Sequence, residues 1–98
     1  MSFDDKIKNI VSRLTDEEFE IYNSTKSKGR LYFLIKTNYS IIKCVYVNKN
    51  LKLDISDVNF ISKLSKNSIK TINLIHDLTN SIELLENELF NILENDYD

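Results

Sequence analysis

The sequence predicts an α+β domain: two N-terminal helices, a three-stranded antiparallel β-meander, and one or two C-terminal helices forming a long acidic amphipathic stretch. Three observations predict it. The segment from Arg30 to Ile55, RLYFLIKTNYSIIKCVYVNKNLKLDI, is rich in β-branched and aromatic residues and is broken twice by polar steps containing asparagine. The apolar residues before and after it recur at helical spacing. Within its 98 residues the chain has no repeat and no linker, so residues 1–98 are expected to form one domain around one modest core.

Taken in order, Ser2 and Asp5 beside the apolar series Phe3, Ile7, Ile10, Val11 and Leu14 predict a capped amphipathic helix over residues 3–13. Thr15 followed by Glu18 is a capping box and predicts a second short helix with Phe19, Ile21 and Tyr22 turned inward. Residues 23–29, NSTKSKG, lack apolar anchors and read as a loop ending in a glycine turn.

In the meander, turns near Asn38–Tyr39 and Lys49–Asn50 define the register. Pairing Thr37 with Ser40 sets Ile35 opposite Ile42, Phe33 opposite Cys44 and Leu31 opposite Tyr46. Pairing Asn48 with Leu51 sets Tyr46 opposite Leu53 and Cys44 opposite Ile55. Side chains alternate with period two, so this register collects Leu31, Phe33, Ile35, Ile42, Cys44, Tyr46, Leu51, Leu53 and Ile55 on one face. That face is expected to meet helix stripes that include Phe3, Ile7, Ile61, Ile72 and Ile75.

After the sheet, Ser56 reads as an N-cap with Asp57 at the positive end of a helix continued by Val58, Ile61 and Leu64. The run Ser65–Ser68 interrupts it. From Ile69 to about Glu94 the pattern is helical, and Ile75, Leu78, Ile82, Leu85, Leu89 and Ile92 form a short heptad seam. A straight helix of that length would be about 39 Å long, against a diameter of about 32 Å for a compact globule of this size. The helix therefore either breaks, at Asn80–Ser81, or projects and packs on a second copy.

Composition narrows the function classes. The net charge is −2, but it is segregated: −3 over residues 1–20, +7 over 21–53 with no acid, +1 over 54–70, and −7 over 71–98 with no lysine or arginine. No apolar run approaches a membrane span. The start, MSFDDKIKNI, carries acids where a signal peptide carries bases, so a cytoplasmic location is expected. Heavy use of Lys, Asn and Ile is the mark of an AT-rich genome such as that of a virus or mobile element, for which the compartment would be the host cytoplasm.

Catalysis finds little support. His76 is the only histidine, Cys44 the only cysteine and Gly29 the only glycine. One histidine and one cysteine make no zinc site, and one glycine makes no phosphate loop. Cys44 falls on the core face, where cysteine acts as a small hydrophobe. Glu83, Glu86 and Glu88 at helical spacing read as a solvated face. No catalytic residue, metal or cofactor is expected.

Binding is the expectation that remains. The leading reading is a small, non-catalytic, self-associating interaction protein with a basic sheet and an acidic C-terminal helix. Six seam positions, Ile75, Leu78, Ile82, Leu85, Leu89 and Ile92, together with Glu83 and Glu86, are its partner-binding candidates. The six seam positions and the four aliphatics of the outer sheet face, Leu34, Ile41, Val45 and Val47, present more apolar surface than one small core covers, which points to a twofold dimer or to another protein, such as one with a basic nucleic-acid-binding surface. The alternative is single-stranded nucleic acid on the second face of the sheet, with Lys26, Lys28, Arg30, Tyr32, Lys36, Tyr39, Lys43 and Lys52 as candidates, since bases interleaved with aromatics serve phosphates and nucleobases together.

Overall fold

The computed structural model describes residues 2–38, 40–55 and 66–95. Helix α1 (Phe3–Ser12) is followed by four strands, β1 (Glu20–Ser27), β2 (Arg30–Lys36), β3 (Ile41–Val47) and β4 (Asn50–Ile55), and then by α2 (Lys66–Asn80) and α3 (Ile82–Asn95). The class is the α+β class expected. The sheet is an antiparallel meander in the order β1-β2-β3-β4, with one strand more than the sequence pattern indicated.

That extra strand replaces the expected second helix. Thr15 does not cap a helix: its hydroxyl donates to Asp77 Oδ2 at 2.7 Å and accepts from the Glu17 N–H at 3.2 Å, closing a local turn tied to α2. The chain then extends and adds β1 to the edge of β2, Ile21 opposite Ile35 and Tyr22 opposite Leu34. The polar stretch expected to be a loop is most of this strand. A bulge follows Tyr22, where Asn23 adopts φ 55 and two residues oppose one before Thr25 pairs with Tyr32. Asparagine tolerates this left-handed conformation better than most residues.

The central hairpin has the expected register, Ile35 opposite Ile42, Phe33 opposite Cys44 and Leu31 opposite Tyr46. Its turn is fixed by Thr37 and Ser40, whose backbone and side-chain groups exchange three hydrogen bonds of 2.9–3.0 Å. The second hairpin is two residues off the expected pairing. Tyr46 faces Leu51, Cys44 faces Leu53 and Ile42 faces Ile55, because the turn is Asn48–Lys49, both left-handed at φ 53 and φ 66, as a tight type I′ turn requires. A shift of two preserves the faces.

The inner face of the sheet is therefore the one anticipated, with Leu53 and Ile55 half-buried at its edge. Leu31, Phe33, Ile35, Ile42, Cys44, Tyr46 and Leu51 are buried with Ile7, Ile10 and Val11 of α1 and Leu74, Leu78, Leu85 and Leu89 of the C-terminal helices. Ser2 caps α1 by accepting the Asp5 N–H at 3.2 Å. The C-terminal helical run is interrupted at Ser81, within the Asn80–Ser81 step singled out above. Its N–H is shared between the Asp77 and Leu78 carbonyls, both at 3.2 Å, and its carbonyl accepts from the Leu85 N–H at 2.9 Å.

The run crosses the sheet from end to end. Near its start the Thr71 hydroxyl donates to the Thr37 hydroxyl at 2.8 Å, beside the β2–β3 turn. Near its finish Phe90 lies under Lys49, in the β3–β4 turn at the opposite end. Ile72, expected to face the sheet, is 37% exposed instead. The expected helix through Ser56, Asp57, Val58, Ile61 and Leu64 falls outside the described residues.

Candidate binding face of the sheet

All the described helices pack on one side of the sheet, and the pairings show what the other side presents. From one end to the other, its cross-strand rows are Glu20–Lys36–Ile41, Tyr22–Leu34–Lys43–Asp54, Thr25–Tyr32–Val45–Lys52 and Ser27–Arg30–Val47–Asn50. Tyr22 (44%), Tyr32 (37%) and Ile41 (47%) are exposed, and Leu34, Val45 and Val47 are half-buried. The centre of the face is thus an apolar strip of two tyrosines and aliphatics. Four cations surround it, Arg30, Lys36, Lys43 and Lys52, all exposed. The Lys36 ammonium lies 5.7 Å from the Tyr22 ring centroid, a cation–π contact that holds both over the strip.

Two carboxylates temper the charge. Glu20 sits opposite Lys36, and Asp54 opposite Lys43. Glu20 also binds the Lys8 ammonium of α1 at 3.0 Å. The acid-free run of sequence ends at Leu53, so linear counting leaves both acids off the face. Only the strand pairing brings them onto it.

The expected basic patch divides in two. Arg30, Tyr32, Lys36, Lys43 and Lys52 share the open face, and Tyr39 lies outside the described residues. Lys26 and Lys28 do not join them. The β1 bulge pairs Lys26 with Leu31 on the helix side, its ammonium 5.8 Å from the Phe3 ring, while Lys28 is in the β1–β2 turn. Tyr22 was the member of the face that sequence reading turned inward. Its place in β1 was hidden by the polar character of the residues that follow it.

The partner-binding candidates have a different fate. Leu78, Leu85 and Leu89 are fully buried in the chain's own core, with Ile75, Ile82 and Ile92 half-buried against it. Glu86 is half-buried and accepts the Leu51 N–H, while Glu83 is exposed. The heptad seam is therefore the inner stripe of α2 and α3, used within one chain. Among the described residues the apolar side chains those helices expose are Ile69, Ile72 and Leu84.

Burial raises the Cys44 thiol pKa to about 12, so the central cysteine is a neutral core residue at physiological pH. His76 is exposed on α2. Comparison with known proteins gives no matching family model, no matching curated protein and no matching solved structure.

Proposed function

We propose that this protein is a non-catalytic interaction module that docks another protein on the open face of its sheet, the partner presenting an acidic segment with aliphatic side chains. One observation carries the reading: a continuous apolar strip, Tyr22, Tyr32, Leu34 and Val45, is left exposed or half-buried inside a frame of four cations. Apolar area kept in water across the middle of a sheet marks a contact surface. The cations around it would steer and orient a partner of opposite charge more than they would supply affinity.

A second reading has its own support. Tyr22 and Tyr32 beside Arg30, Lys36, Lys43 and Lys52 are groups that single-stranded nucleic acid uses, bases stacking on rings and phosphates on cations. The aliphatics weigh against it, since Ile41, Leu34, Val45 and Val47 offer no stacking surface, and Glu20 and Asp54 repel phosphates.

Self-association also takes a particular form. The acidic helices and the basic face lie on opposite sides of the molecule, so helix-on-sheet docking between copies would be head-to-tail, giving a ring or an open chain of copies and not a closed twofold pair. A twofold dimer through this region would have to set sheet face against sheet face.

One titration separates these readings. An acidic amphipathic Glu/Leu peptide and an oligothymidylate are each added to isotope-labelled protein, and amide shifts are followed at about 50 and 200 mM salt. Docking of a protein segment predicts peptide-induced shifts centred on Tyr22, Tyr32, Leu34 and Val45, lost in Lys36→Glu/Lys43→Glu. Oligonucleotide shifts at the same residues that collapse steeply with salt would favour nucleic acid. Shifts at these residues on raising protein concentration alone would favour a second copy.

A further inference from the structure

The side chains of the open face fall on parallel diagonals. Lys36 lies opposite Ile41, two residues from Lys43, and Lys43 lies opposite Asp54, two residues from Lys52. Each lysine is therefore a diagonal neighbour of the next, about 7–8 Å away. The same step carries Tyr22 to Tyr32, Tyr32 to Val47, and Leu34 to Val45. The face is thus a line of three lysines, beside it a band of tyrosines and aliphatics two lines wide, and Arg30 on the far flank. Lys43 and Lys52 are exposed and carry no ion pair among the described residues.

Backbone chemistry selects the secondary structure that fits such a face. An extended segment finds main-chain partners along the edge of a sheet. Here each edge already has an N–H bonded to a carboxylate, Leu51 to Glu86 and Ser24 to Asp4. Laid over the middle of the face, an extended segment would press its own N–H and C=O groups onto Tyr32, Leu34 and Val45, which cannot bond them. A helix satisfies those groups within itself and offers side chains alone. Its diameter of about 10 Å covers the apolar band. Two diagonal steps span about 15 Å, which is about ten helical residues or three turns. A second copy's open face fits less well, because four cations against two acids leave each face positive.

We propose that the partner segment is an amphipathic α-helix of about three turns lying along this diagonal, an inference that rests on reading the open face as a protein-docking surface. Its apolar stripe sits on Tyr22, Tyr32, Leu34 and Val45. Its carboxylates occupy the flank that faces Lys36, Lys43 and Lys52. The line of lysines thereby fixes which way round the helix lies.

The test uses two peptides of about 14 residues with identical Glu, Leu and Ala content. One places leucines at i, i+3, i+4 and i+7 with glutamates along a single flank, and the other alternates apolar and acidic residues. Each is titrated at low salt into the isotope-labelled full chain, with amide shifts and far-ultraviolet dichroism recorded together. The helical order should shift Tyr22, Tyr32, Leu34 and Val45 and gain helical dichroism on binding. The alternating order should bind about tenfold more weakly, the scale of one unmatched backbone group. Lys43→Gln with Lys52→Gln should weaken the helical peptide about tenfold at low salt, while Arg30→Gln on the other flank should change it less than about twofold. All three side chains are exposed, so these variants should keep the fold. Equal affinity of the two orders, or no gain of helix on binding, would overturn the helix and leave the docking reading in place. Equal losses in Arg30→Gln and the double lysine variant would overturn the proposed orientation. Shifts at the face with neither peptide would overturn the inference and the docking reading together if they are absent at every peptide concentration.

Discussion

Glu86 of α3 accepts a hydrogen bond from the backbone N–H of Leu51, 2.7 Å from its Oε2, on the free edge of β4. Asp4 of α1 does the same at the other edge, where its Oδ1 accepts the Ser24 N–H at 3.0 Å in the β1 bulge. An unpaired edge N–H is a template for another strand, and natural sheets cover or charge their edges against such pairing. Here each edge is engaged by a carboxylate from the helix beside it, while one whole face stays open. If the open face docks a partner as proposed, these two bonds disfavour the competing mode, addition of a strand at the edges.

Glu86→Ala should therefore destabilise the fold by about 1–3 kcal/mol, the cost of leaving a part-buried N–H unmatched. Glu86→Gln keeps an acceptor and should lose less. Urea denaturation measures both. Equal stability of Glu86→Ala and wild type would mean that this bond contributes nothing in solution.

The open face gives the most direct check of the strand register. Phe33 and Tyr32 are neighbours on opposite faces, 1% and 37% exposed. Phe33→Ala should cost about 3–5 kcal/mol, as core aromatic truncations do, while Tyr32→Ala should stay within about 1 kcal/mol, as a partly exposed cross-strand contact would. Comparable losses at the two positions would place the faces wrongly.

The same contrast explains what could be read from the chain and what could not. The faces of β2, β3 and β4 followed from alternation alone, which is why a two-residue error in the second hairpin left every side chain on its correct side. β1 was illegible because Ile21 is its one buried residue and its bulge, built on Asn23, breaks the alternation that would have announced it. Without β1, one small core does not cover six seam positions and four aliphatics on the outer sheet face, and that apolar surplus points outward to a partner. Heptad spacing cannot decide between the two, since a core stripe and an interface share it.

Leu85→Asp with Leu89→Asp tests that reassignment. Both leucines are fully buried within one chain, so the double variant should lose cooperative unfolding and native near-ultraviolet dichroism. An unpaired charge in a core is among the few changes that unfold a small domain outright. A folded double variant of 11.5 kDa by light scattering would instead return the seam to the surface.

Cys44 supplies a test of the core that needs no mutation. Burial lifts its thiol from an ordinary 9.0 to about 12, so at pH 8 only about one molecule in ten thousand carries the reactive thiolate in the folded state. Iodoacetamide should leave the native protein unmodified at pH 8 and label it rapidly in denaturant. The same shift sets the alkaline limit of the fold. A raised folded pKa means that the unfolded chain loses its proton first, so this contribution to stability is complete below pH 9 and declines as pH rises from there towards 12. Tyr46, also raised above its ordinary 10.0 by burial and by Glu86 and Glu94, adds to the decline from about pH 10 upward. Denaturation midpoints taken from pH 7 to pH 11 should hold level to about pH 9 and then fall. Tyr46→Phe should fall less over the upper part of that range, and rapid alkylation of the native protein at pH 8 would show that Cys44 is not sealed between sheet and helices.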